Sequence, residues 1–86
     1  MFKQSWSTEY AGHKIRVDNS WFGSSELYVD EKLQDKSMGM FSGKLVGKIH
    51  VKDSEKELKV VISPASLMSL ECLIFVDNEV IYSSKK

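Results

Sequence analysis

Polar and apolar residues alternate along most of this chain. Ile15 and Val17 alternate with Lys14, Arg16 and Asp18, and Leu27 and Val29 with Glu26, Tyr28 and Asp30. A period of two is the mark of a strand with one buried and one solvated face. Leu45, Gly47, Ile49 and Val51 alternate with Lys44, Val46, Lys48 and His50, and Leu58, Val60 and Ile62 with Glu57, Lys59 and Val61, which predicts longer strands of the same kind. Turn-forming residues separate these runs at Tyr10-Ala11-Gly12, Asn19 to Ser25, Asp30-Glu31, Ser37 to Gly43, Lys52 to Lys56, Ser63 to Ser66 and Asp77-Asn78. About eight strands follow, near 3–8, 13–19, 25–30, 32–36, 43–51, 57–63, 70–76 and 79–83, with connections short enough for antiparallel hairpins. Strands with one apolar face each are stable when two sheets pack face to face, so the predicted fold is an all-β antiparallel sandwich. It forms a single domain over residues 1–86 with a frayed tail at 84–86.

Two signals cut across this pattern. Ser54-Glu55-Lys56-Glu57 has the form of a helix capping box, but the run after it is β-branched and alternating, which favours a charged hairpin tip. Ser63-Pro64 followed by Ala65 to Leu70 places a serine at a cap and a proline at a first helical position, predicting one helical turn near residues 64–69. There is no internal repeat in the sequence.

Register gives a candidate surface. With Asp77-Asn78 as a two-residue turn, Phe75 faces Val80 and Leu73 faces Tyr82 on one side, while Cys72, Ile74 and Ile81 fill the other. A strand apolar on both sides is either covered or part of an interface. A second candidate is Trp21-Phe22, two large rings in a turn-rich segment. They either form an exposed platform for a sugar or other planar ligand, or fold over the open end of the sandwich as a plug.

Composition sharpens the fold and narrows the chemistry. Two alanines against 13 valines and isoleucines argue against helices. Twelve basic residues balance twelve acidic ones, and only Arg16 among the cations is an arginine, so the broad positive field and bidentate phosphate contacts of a nucleic-acid binder are not expected. Lys44, Lys48, Lys52 and Lys59 form at most a local stripe of the kind that guards strand edges. One cysteine makes no internal disulfide, the first residues lack the apolar stretch of a secretory signal, and the longest apolar run, Cys72 to Val76, is too short to span a bilayer. The expectation is a cytoplasmic protein with no membrane partner.

Candidate chemistry is sparse. Cys72 lies between Leu70 and Ile74 in an apolar alternation and reads as a small buried hydrophobe rather than a nucleophile. His13 and His50 read as surface histidines, and with Cys72 they share no metal-binding spacing. Phosphate-cradling and nucleophile-elbow motifs do not occur, and acid pairs such as Asp30-Glu31 and Glu55/Glu57 fall in turns. No catalytic residue, metal or cofactor is expected.

Several strings nevertheless occur in a familiar order. His13-Lys14-Ile15 preceded by Trp6, Leu27-Tyr28-Val29-Asp30 with Lys32, Phe41, Leu45-Val46-Gly47-Lys48, Ile62, Glu71 and Val76-Asp77 together resemble the repeating unit of the Fas apoptotic inhibitory molecule family. The resemblance spans residues 6–82 and lies in the order and spacing of the strings. The family tends to carry Asp-Gly or Asn-Gly at its hairpin turns, where this chain has Glu31 and Asn78; glutamate at positive φ costs about 1–2 kcal/mol, which predicts a first turn wider than two residues. The loop at Trp21-Phe22 and the spacing between Phe41 and Leu45 also differ. What the resemblance implies is an eight-stranded sandwich without an active site, working through protein contacts. The expected function is therefore a non-enzymatic interaction module that binds an unknown protein or itself through Leu73, Phe75, Val80 and Tyr82, with ligand binding at Trp21 and Phe22 as the alternative.

Overall fold

The computed structural model describes residues 3–20, 24–38, 43–66 and 69–84. Eight strands run in chain order: β1 (Lys3–Tyr10), β2 (His13–Ser20), β3 (Ser24–Val29), β4 (Lys32–Met38), β5 (Gly43–Val51), β6 (Ser54–Ser66), β7 (Ser69–Val76) and β8 (Glu79–Ser83). They form two antiparallel four-stranded meanders, β1-β2-β3-β4 and β5-β6-β7-β8, the all-β sandwich that the alternation predicts. The described residues include no helix, so none is long and apolar enough to cross a membrane.

Alternation becomes burial. Inner positions Trp6, Ile15, Val17, Leu27 and Val29 of the first sheet meet Leu45, Ile49, Leu58, Val60, Ile62, Leu70, Cys72, Ile74 and Val76 of the second in one core, flanked by the partly buried Tyr10, Val51, Ile81 and Tyr82. Strand β5 joins the layers: a Cβ on Gly47 would lie 3.3 Å from Gln34 Cβ and Leu27 Cδ2, and Val46 N–H donates to Asp35 Oδ2 at 2.9 Å. Glycine at 47 lets the backbone of β5 come this close to β3 and β4.

The expected helical turn near 64–69 gives way to strand. β6 continues through Pro64, opposite Leu70, to Ser66, opposite Ser69, with a register shift between Pro64 and Ser66. Among the described residues the β5 ladder ends at Gly43↔Ile62, so no described residue pairs with Pro64 on that side, and a proline is tolerated where a ladder runs on one side. At the end of the described residues Ser84 N–H donates to the Cys72 carbonyl at 3.0 Å, and Ser84 Oγ accepts from Cys72 N–H at 2.7 Å.

Contrary to the sequence expectation, the Asp30-Glu31 turn is only two residues wide, with φ of 51° and 70°, and Val29 pairs directly with Lys32. Its ties explain how glutamate is held there. Asp30 N–H donates to the Lys14 carbonyl at 2.8 Å, Asp30 Oδ1 accepts from Lys14 N–H at 3.0 Å, and Glu31 pairs with Arg16 at 3.0 Å and Lys14 at 3.6 Å. The Asp77-Asn78 turn, with φ of 48° and 68°, repeats the device: Asp77 N–H donates to the Glu57 carbonyl at 2.9 Å, Asp77 Oδ1 accepts from Glu57 N–H at 3.0 Å, and Lys56 Nζ reaches Asp77 at 3.3 Å.

The two meanders thus repeat each other. His13-Lys14-Ile15-Arg16-Val17 and Leu27-Tyr28-Val29-Asp30 in the first correspond to Lys56-Glu57-Leu58-Lys59-Val60 and Ile74-Phe75-Val76-Asp77 in the second, as the register Ile15↔Val29 against Leu58↔Val76 shows. Each half carries a bulge at the same place, between Leu27 and Tyr28 and between Ile74 and Phe75. β6 has 13 residues to the eight of β2, so the corresponding segments lie farther apart in the second half and no fixed sequence period results.

Two substitutions probe this account. Replacing Gly47 by Val inserts volume against Leu27 and Gln34 and is expected to lower unfolding free energy by about 1–3 kcal/mol in a urea titration. Glu31→Gly relieves about 1–2 kcal/mol of left-handed strain and forfeits exposed ion pairs worth about 0–1 kcal/mol, so the same titration should show a gain between about 0 and 2 kcal/mol.

Candidate functional site

Of the candidate residues, Trp21 and Phe22 lie outside the described residues. The other four are on β7 and β8, and three of them share a face. The register runs Val76↔Glu79 and Phe75↔Val80 as expected, but the bulge then makes Ile81 the extra residue, so Ile74 pairs with Tyr82 and Leu73 with Ser83. Tyr82 therefore leaves the outer set, stands opposite the buried Ile74 and packs against the core beside Ile81. A bulge doubles the number of β8 side chains that reach the core at this edge.

The outer face is built in cross-strand rows. One row is Val46, Lys59, Phe75 and Val80, taking one residue from each strand of the second sheet; its neighbour is Lys44, Val61, Leu73 and Ser83. Val46 is 48% and Val80 53% exposed, while Val61, Leu73 and Phe75 are half-buried among their neighbours. Lys59 Nζ sits 5.6 Å from the centre of the Phe75 ring, a cation over an aromatic face. Five apolar side chains thus form a continuous strip, with lysine ammonium groups beside it.

At the turn end the strip opens into a shallow depression of about 570 Å³ lined by Val46, Gly47, Lys48, Glu55, Glu57 and Asp77. Lys48 pairs with Glu55 at 3.5 Å, and His50 Nε2 lies 3.7 Å from the other Glu55 oxygen. Hydrogen bonds from Glu57 N–H and then Lys56 hold the Asp77 carboxyl below the usual carboxylate range. The sequence reading missed Val46 and Val61. Their signal was present, since each is an apolar residue on the polar side of its own alternation.

The equivalent face of the first sheet differs. Its rows are Ser7, Arg16, Tyr28, Leu33 and Ser5, Asp18, Glu26, Lys36. Arg16 stacks 4.4 Å from the Tyr28 ring centre, matching Lys59 on Phe75, but also pairs with Glu31 and lies 3.4 Å from Asp18. Asp18 accepts from Ser5 Oγ at 2.8 Å. The central rows of this face carry paired charges, with Leu33, 54% exposed, as the apolar residue at the β4 end.

Cys72 and His13 are each held by their surroundings. Cys72 is fully buried, and burial pushes its thiol up to about 12, far from a thiolate at neutral pH. Among the described residues no group of three or more potential ligands is placed to hold a metal ion. His13 is not the simple surface residue expected. Its Nδ1 meets Asp30 Oδ2 at 2.7 Å and its Nε2 donates to the His50 carbonyl at 2.6 Å, tying the two sheets together at the turn end. A carboxylate and a carbonyl both accept, so this arrangement requires both ring nitrogens to carry protons. The bonds to Asp30 and then His50 raise the His13 pKa above 6.5.

Scans against family models, curated proteins and solved structures return no match to this chain.

The His13 tie has a defined pH dependence. A pKa raised in the folded state means its stabilisation is complete below the unfolded value of 6.5 and is lost as pH rises through the folded value. Melting temperature should therefore fall as pH rises above 6.5, and His13→Gln should flatten that arm. An NMR titration of the His13 ring checks the shift directly, and an unshifted ring would contradict the geometry.

Proposed function

We propose that this chain is a non-catalytic β-sandwich that binds another protein through the outer face of β5–β8. The observation carrying this reading is the contrast between the two outer faces: the central rows of one hold Arg16 and Asp18, paired with each other, with Leu33 as the exposed apolar residue at the β4 end, and those of the other hold the five apolar residues Val46, Val61, Leu73, Phe75 and Val80. A face that only met water would gain nothing from five such side chains, and strips of this kind mark interaction surfaces. Lysines 44, 48 and 59 beside the strip favour a partner segment whose apolar stripe is flanked by carboxylates, which would steer approach and set register. The engaged His13, the buried thiol of Cys72 and the resemblance to a family working through protein contacts support the non-catalytic part of the reading.

A photo-crosslinking residue placed at Val80 should give a discrete adduct with another protein in cells, whereas the same residue at Lys36, on the outer face of the first sheet, should not. Phe75→Lys should abolish the Val80 adduct without altering the circular dichroism spectrum. Equal adducts from both positions, or none from Val80, would sink the proposal.

A further inference from the structure

Four strands border the two sheets, and three of them are guarded. β4 and β5 lie against each other, with Asp35 capping Val46 N–H and Gly47 pressed on Gln34. β8 has five residues, is broken by a bulge, and ends in the return of Ser84 to Cys72. β1 has none of these devices. It is eight residues long, pairs with β2 without a register shift, contains neither proline nor glycine, and puts no charge on its inward positions Gln4, Trp6, Thr8 and Tyr10. Among the described residues no strand pairs with its outer edge. An edge of this length with no guard is a template for another strand.

Its free groups can be placed. The turn at Ala11 and Gly12, with φ of 51° and 84°, closes β1 and β2 in two residues, which makes Tyr10↔His13 a hydrogen-bonded pair. Bonding alternates along an antiparallel ladder, so the N–H and C=O groups of residues 3, 5, 7 and 9 point to the open edge. Antiparallel self-pairing must then set odd residues opposite odd ones.

We propose that β1 is a homodimerisation strand, pairing antiparallel with β1 of a second copy about a two-fold axis at Trp6, with Ser5 opposite Ser7. Self-complementarity selects this occupant and this register. It sets position 3 of each copy, a lysine in the sequence, opposite position 9 of the other, a glutamate, so the sequence places opposite charges at two matched positions. Sliding by two residues in either direction removes both pairs and shortens the ladder. The two β1–β4 sheets become one eight-stranded sheet, and because the axis stands perpendicular to it, both β5–β8 outer faces lie on the same side of the dimer. The dimer stands independently of what those faces bind.

Sedimentation equilibrium of the full chain from micromolar to near-millimolar concentration is expected to show a monomer–dimer equilibrium. Ser7→Pro removes one outward N–H per copy, which the monomer tolerates at an edge, and should raise the dissociation constant roughly tenfold or more, while Phe75→Lys should leave it unchanged. Lys3→Glu and Glu9→Lys test the register without relying on proline. Each alone should weaken the dimer, and an equimolar mixture of the two variants should restore association, because every cross-pair in the mixed dimer is again opposite in charge. A strict monomer, a dimer indifferent to Ser7→Pro and to both charge reversals, or a dimer dissolved by Phe75→Lys would overturn the proposal.

Discussion

Hairpin register is the constraint on which the rest of this fold depends. Side chains alternate faces with a period of two, so a slip of one residue would turn Ile15, Val17, Leu58 and Val60 out of the core. Register is set at the turn end, where Asp30 and Asp77 each sit in a left-handed two-residue turn and reach past their own strand to the backbone of the next. A carboxylate held by a backbone N–H, with its own N–H returned to the neighbouring carbonyl, locks three strands at one point. The left-handed strain at Glu31 and Asn78 is tolerated because these ties leave the turn little choice.

The two meanders share that device, the bulge beyond it and the cation over an aromatic ring on the outer face. They part where folding makes no demand. Outer side chains do not enter the core, so in one half the positions around Arg16 and Tyr28 hold mutually paired charges, and in the other the positions around Lys59 and Phe75 hold aliphatic groups. Folding requirements do not choose between them, because neither set of side chains enters the core.

Strand positions were legible because alternation and turn chemistry are local. β2, β5 and β8 lie within a residue of where the pattern places them. The extension of β6 through Pro64 was not legible, since a serine before a proline is a local helix-start signal, and the pairing of Pro64 with Leu70 that overrides it is a tertiary fact. Tyr82 was misplaced for a similar reason: simple alternation from the turn cannot anticipate a bulge. The role of His13 rests on a carbonyl 37 residues away on the other sheet, beyond any local pattern. The candidate face was half visible, through Leu73, Phe75 and Val80, and became a continuous strip only when register aligned Val46 and Val61 with them.

Ser84 closing on Cys72 also decides how the molecule would carry load. The outer ends of β1 and β8 both lie at the end of the sandwich away from the tight turns, with Lys3 opposite Ser20 and Ser83 opposite Leu73. Tension between them would act across the ladders and part their bonds one after another, like a zip, instead of shearing many at once. The two bonds between Ser84 and Cys72 are the first link on the β8 side. A sandwich loaded this way yields from its rims while its middle strands hold.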